Sequence, residues 1–272
     1  MFRLLVQAAA VSALLTAMSA GADTLYDNGS ASTGAVASTG ELAPEGTTWS
    51  ESHGGTIGWT SSATSSGNAF SLADDFTIGA GQTWSIASID VFAYVYDVPL
   101  GDSPIRSVTL RIWSGTPGSA DATLVWGDYT TNRLASSSFS GIYRAALGEP
   151  ETERPIWANS VTTEGLTLGA GTYWVDWTTS YLPDLGRSYG VPVAVAGLDA
   201  KPGANAMQSL RLSGEDSYTW SAVIDTGVNA AQDLPFVVNG AVVAVPEPSS
   251  AVLLLTGAGL LLGLRRRHRV EA

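Results

Sequence analysis

Between residues 70 and 245 apolar and polar side chains alternate in short runs. Along 85–96, Ile89, Val91, Ala93 and Val95 fall on one face, and Asp90, Phe92, Tyr94 and Tyr96 on the other. Along 107–113, Val108, Leu110 and Ile112 oppose Thr109, Arg111 and Trp113. Tyr173, Val175 and Trp177 likewise oppose Trp174, Asp176 and Thr178. A period of two, rich in β-branched and aromatic residues, predicts strands with one buried face. Further strands are predicted at 72–78, 123–129, 141–144, 155–161, 205–212, 218–223 and 235–245, with turn signals such as Pro117-Gly118, Pro202-Gly203 and Ser213-Gly214 between them. No stretch of residues 23–245 carries a convincing amphipathic helical pattern.

Two Gly-Ala-Gly segments echo each other. Thr77-Ile78-Gly79-Ala80-Gly81 precedes Thr83-Trp84, and Thr167-Leu168-Gly169-Ala170-Gly171 precedes Thr172-Tyr173-Trp174. Each is expected to be a hairpin turn, where glycine supplies the positive φ that tight turns require. Residues 23–69 are rich in Gly, Ser, Thr and Ala, and are expected to form a loosely held N-terminal segment before a β-body at 70–245. Many strands without helices imply an all-β fold, an antiparallel β-sandwich of jelly-roll type.

The two ends follow other patterns. Arg3, an apolar run at 4–18 and Ala20-Gly21-Ala22 form a signal peptide at 1–22, with cleavage after Ala22 by the A-x-A rule and export through the Sec machinery. At the other end, Val245-Pro246-Glu247-Pro248 precedes an uncharged apolar run at 251–264 and a basic cluster, Arg265, Arg266, Arg267 and Arg269. As a helix that run would reach about 21 Å at about 1.5 Å per residue, short against a hydrocarbon core of about 30 Å. The arginines hold the end on the cytoplasmic side. This order of motif, transmembrane helix and basic cluster at 246–269 resembles the PEP-CTERM sorting signal of exported bacterial proteins. The resemblance implies an exosortase as partner, and a destination at the cell surface or in the extracellular matrix, where such sorting accompanies exopolysaccharide. The body resembles an uncharacterised group of such proteins through Ala73-Asp74-Asp75-Phe76-Thr77, Leu110-Arg111-Ile112-Trp113, Val125-Trp126-Gly127-Asp128, Ile142-Tyr143-Arg144, Arg154-Pro155-Ile156-Trp157 and residues 170–177. That likeness implies a shared fold and supplies no activity.

Charge narrows the partners. Five of the 13 basic residues and two of the 25 acidic ones lie in the two end signals, so the net charge moves from −12 for the chain to −15 for residues 23–245. Such a surface repels nucleic acid, anionic lipid and acidic polysaccharide. With no cysteine and only His53 outside the ends, zinc, iron or copper sites of the usual kind are not expected. The motifs of serine hydrolases, metalloproteases and nucleotide binders do not occur, and His53 reads as a solvated loop residue. Acids at Asp74, Asp75, Asp176, Glu149, Glu151 and Glu153 leave a divergent glycosidase open, although neighbouring strand residues such as Asp74 and Asp75 face opposite ways. Structural calcium is the metal that Asp27 and Asp225 would suit, in Asp27-Asn28-Gly29 and Asp225-Thr226-Gly227. Turn chemistry explains the same residues without metal. No other cofactor is implied. Tyr94, Trp113 and Trp174, opposite the aliphatic rows, would offer a stacking platform for polysaccharide if their faces meet solvent, and would fill a second packing layer if they do not. The expectation is a non-catalytic surface or matrix protein with a structural or adhesive role, a carbohydrate-binding module being the alternative.

Overall fold

The computed structural model describes residues 22–52, 56–181, 187–194 and 200–243. The signal peptide through Gly21, His53, the sorting motif, the apolar run and the arginine cluster lie outside the described residues. Within them the chain forms strands and no helix: β1 (Asp23–Asp27), β2 (Thr48–Glu51), β3 (Trp59–Thr60), β4 (Ala69–Val95), β5 (Ile105–Ser114), β6 (Thr123–Gly127), β7 (Leu134–Ala145), β8 (Pro155–Tyr181), β9 (Ser188–Gly190), β10 (Met207–Arg211), β11 (Thr219–Ala222), β12 (Ile224–Asp225), β13 (Ala230–Ala231) and β14 (Phe236–Val242).

The frame is a ribbon of two very long strands. β4 and β8 span 27 residues each. They pair antiparallel from Leu72↔Trp177 to Tyr94↔Ile156. Halfway along, the register shifts. Ile78 pairs with Gly171 and Thr83 with Gly169, so Gly79–Gln82 stands opposite Ala170 alone. The two Gly-Ala-Gly segments are therefore not separate hairpin turns, as the sequence suggested. They face each other and form one corner, at which both strands bend together. Gly81, at φ 78°, supplies backbone freedom that a side chain would resist. A bulge with several extra residues on one strand sharpens the bend and turns the ribbon over. Once it has turned, the Phe76 ring stacks on Trp84 at 6.0 Å and 9°.

Each half of the ribbon seeds one layer. The first half of β4 takes β10 and then β11 on its flank, and the second half of β8 takes β5 and then β6. The other layer adds β14 and β1 beside the second half of β4, and β7 and β2 beside the first half of β8. The aliphatic rows read from the sequence meet between the layers. Ile89, Val91, Val108, Leu110, Ile112 and Val175 are all 0% exposed and join Phe76, Trp84, Trp157, Trp177 and Phe236 in one core. Close packing of large side chains replaces the disulfides that an exported chain without cysteine lacks.

Two features depart from the sequence reading. Residues 23–69 are woven into the sandwich: β1 lies beside β14, and Trp49, 2% exposed, packs on Tyr143. Small residues carry no periodic signal, so their anchoring through Trp49 and the β1 ladder was not legible. The pairing is also not wholly antiparallel, because β2 runs parallel to β7, from Thr48↔Ile142 to Glu51↔Ala145.

Candidate functional site

The polar face of β5 and β8 is not a solvent face. Arg111 and Asp176 are register partners. Both side chains are 0% exposed. Arg111 donates from Nε to Asp176 Oδ2 at 2.8 Å and from Nη2 to Oδ1 at 2.5 Å. Its Nη1 reaches Thr109 Oγ1 at 2.8 Å, and Trp113 Nε1 donates to Asp176 Oδ2 at 3.1 Å. Burial disfavours the guanidinium charge, but the Asp176 carboxylate more than offsets this and raises the arginine's pKa. Tyr129 covers the guanidinium at 4.2 Å. Tyr218 stacks on Tyr129 at 4.7 Å, and Arg211 lies over Tyr218 at 5.7 Å. Two stacked rings capped by a cation at each end thus tie β5, the loop after β6 and the β10–β11 turn together.

Three of the acids considered for chemistry, Asp74, Asp176 and Glu151, make structural bonds. Asp176 is held as just described. Asp74, 1% exposed, accepts from Asn28 Nδ2 at 2.8 Å, from the Leu234 amide at 2.7 Å and from its neighbour's amide, that of Asp75, at 2.8 Å. Burial pushes its carboxyl up to about 8, and the Asp233 charge adds to the rise. Asn28 in turn accepts from Tyr26 and from Lys201, which pairs with Asp233 at 2.9 Å. Glu151 pairs with Arg154, and Glu149 and Glu153 are exposed.

Of the oxygen ligands proposed for calcium, Asp27 is exposed and accepts the Gly29 amide at 2.8 Å, while Asp225 is buried and accepts the Gly227 amide at 2.7 Å. These are the turn bonds that the alternative reading required. Among the described residues no three His, Cys, Asp or Glu side chains gather as a metal site. Near Asp225, Arg144 is buried and donates to the carbonyls of Ser50, Glu51, Thr56 and Ile57, pinning the segment that leads from β2 toward β3. Burial draws its pKa down to about 10.

The aromatics separate. Tyr94 and Trp174 are 3% and 5% exposed, so of the two readings the sequence left open they take the second packing layer. The reason is that the strands are covered on both sides, one by the core and the other by loops and side-chain columns. Trp113 is half-buried, with its indole nitrogen committed to Asp176. Tyr94 nevertheless forms the floor of a cleft of about 260 Å³, lined also by Ile57, Gly58, Tyr96, Tyr189 and Arg154. Tyr189 stacks on Tyr94 at 5.3 Å. Arg154 lies over Tyr96 at 4.6 Å. Tyr96 is 49% exposed at the rim. A second, wider cleft of about 550 Å³ runs between Pro117-Gly118 and Trp220, with Tyr218, Thr116 and Ser119 on its walls. Trp220 sits against Gly118, where a Cβ would meet the indole at 2.8 Å. Sequence reasoning missed Tyr189, Arg154 and Trp220. The alternation of Tyr218 and Trp220 was a usable signal, whereas Tyr189 stands in a short strand with no pattern around it.

No curated protein and no solved structure matches the chain. A family profile does match, the PEP-CTERM protein-sorting motif, over residues 244–269. That match begins two residues after Val242, the last residue of β14. The chain therefore carries a PEP-CTERM sorting motif and is an exported, exosortase-sorted protein anchored at the membrane by its C-terminus.

Proposed function

We propose that the body is a non-catalytic structural or adhesive module, displayed at the cell surface or in an exopolysaccharide matrix by its sorting tail. One observation carries the reading: the sorting motif is fused directly to a sandwich in which the buried charged pair Arg111–Asp176, at 0% exposure, is committed to structural bonds. An acid or base that turns over substrate must reach it, at about 2.6–3.2 Å or through one water. Asp74 and Asp176 are enclosed instead, so the divergent-glycosidase reading gains no support from them. Asp27 and Asp225 each make a turn bond through Oδ1, as turn chemistry without metal requires, and the buried Asp225 Oδ2 has no hydrogen-bond partner among the described residues. The test is co-sedimentation of the exported protein with the polysaccharide of its own host, together with an assay for released reducing sugar. Retention without release is expected. Release at an enzyme-like rate would sink the proposal.

A second reading, carbohydrate binding, is favoured by the tyrosine cleft. Tyr96 and Tyr189 offer ring faces beside Arg154 in an open depression. Aromatic planes flanked by a fixed polar group suit the alternating apolar faces and hydroxyls of a sugar. Loss of retention in a folded Tyr96→Ala, Tyr189→Ala variant would support it. Full retention would remove it.

A further inference from the structure

We propose that the glycine corner of the ribbon is the membrane-facing end of the folded body, and that its partner is the lipid surface in which the tail is anchored. The inference rests on the sorting-tail reading and adds an orientation and a contact surface to it.

The first observation is where the chain leaves the sheet. Val242 pairs with Trp84, and the Val243 amide donates to the Thr83 carbonyl at 2.7 Å. Thr83 pairs with Gly169, inside the corner itself. Residues 244–250 alone separate this point from the apolar run that starts at Ala251. Seven residues span at most about 25 Å when fully extended. The corner is thus tethered within that distance of the bilayer, with no long stalk between.

The second observation is that the other end of the body leaves from the same place. Asp23, the first residue after the signal-peptide cleavage site read from the sequence, pairs with Gly240. Before either cleavage, both membrane segments emerge from adjacent strands at one end of one sheet. The fold can then close with both ends still in the bilayer, and both are cut on the same side of the molecule.

The third is charge. The corner residues Gly79, Ala80, Gly81, Gln82, Gly169 and Ala170 are exposed, and Val242 and Val243 beside them are 55% and 41% exposed. Residues 76–89, 165–175 and 234–243 contain no Asp, Glu, Lys or Arg, in a chain of net charge −12. Asp75, Asp90, Glu164, Asp176 and Asp233 bound these stretches in sequence, so the acids flank the corner without entering it, and cleavage before Asp23 sets a new α-amino group beside that residue's carboxylate. An acidic body is repelled by anionic lipid within a Debye length of about 8–10 Å. Only a neutral, weakly apolar end can settle there without that cost.

The chain has no cysteine, so single reporters can be placed cleanly. Ala80→Cys, Ala170→Cys and Asp102→Cys variants of the full chain would carry a fluorophore in vesicles of phosphatidylethanolamine and phosphatidylglycerol that contain a headgroup spin-label quencher. Asp102 precedes Ser103, which bonds Ser137 level with Asn159 and Val91, and Val91 lies eight residues along β4 from Thr83, or about 26 Å from the corner at about 3.3 Å per residue. Quenching at 80 and 170 at least threefold stronger than at 102 is expected. Equal quenching at all three positions would overturn the orientation. Adding Ala80→Glu to the Ala170→Cys variant should weaken quenching at 170, and no change would mean that the tether alone sets the distance, which overturns the contact. Failure of the full chain to float with the vesicles would overturn the anchoring, and the corner's role with it.

Discussion

Arg111 and Asp176 face each other across β5 and β8 with two charge-assisted hydrogen bonds, both side chains 0% exposed, on the side of the sheet that turns away from the main core. A pair of this kind is costly to break from one side only, because the surviving charge stays buried. Asp176→Asn is expected to cost about 3–5 kcal/mol, read as a fall in the urea midpoint with an unchanged slope. The double variant Arg111→Leu, Asp176→Leu should recover most of that loss. A single variant as stable as the parent would show that the pair is not desolvated in solution.

The same residues show how far the sequence could be read. Alternation at 107–113 and 173–177 placed Val108, Leu110, Ile112 and Val175 in the core correctly. It also placed Arg111, Trp113, Trp174 and Asp176 together on the opposite face. It could not tell a solvated face from a second buried layer, since period two reports which residues share a side and nothing about what covers that side. The covering groups, Tyr129 and Tyr218, come from the loop after β6 and the β10–β11 turn, outside both alternating runs. The corner was misread for a related reason. Gly-Ala-Gly signals a change of direction, but whether one strand turns back alone or two strands bend together depends on the partner strand.

Phe76 and Trp84 carry that bend, with their rings stacked at 6.0 Å between the layers. Trp84→Ala should remove about 3–5 kcal/mol, the usual cost of emptying a large buried aromatic site. Gly240→Ala at the neighbouring bulge should also be severe, because an added Cβ would stand 2.1 Å from the Ser85 carbonyl oxygen. Thermal unfolding checks both. A small effect at Trp84 would mean that the halves of the ribbon are held by their flanking strands instead.

The Asp74 carboxyl makes stability depend on pH in an uncommon direction. Its value rises from 3.8 to about 8 on folding, through burial and the Asp233 charge. Between those values the folded state holds a proton that the unfolded chain has released. Stability from this group is therefore fully present below pH 4 and is lost as pH rises toward 8. Asp74→Asn, which keeps an acceptor for the Leu234 amide, should flatten the stability profile across that window. An unaltered slope in the variant would assign the pH dependence to other groups.

The sorting motif leaves the body one residue past Val243, whose amide is bonded to Thr83. An enzyme that reads Val245-Pro246-Glu247-Pro248 must therefore work beside the folded corner, without a long flexible spacer to draw on. Inserting about 10 Gly/Ser residues after Val243, which behave as a flexible coil, should leave the body's stability unchanged and alter the rate of tail removal in the native host, followed by intact mass. Glu247→Ala should leave full-length protein in the membrane fraction. If that variant is released from the cell as fully as the parent, the motif is not what directs processing, and localisation of the body rests on the signal peptide alone.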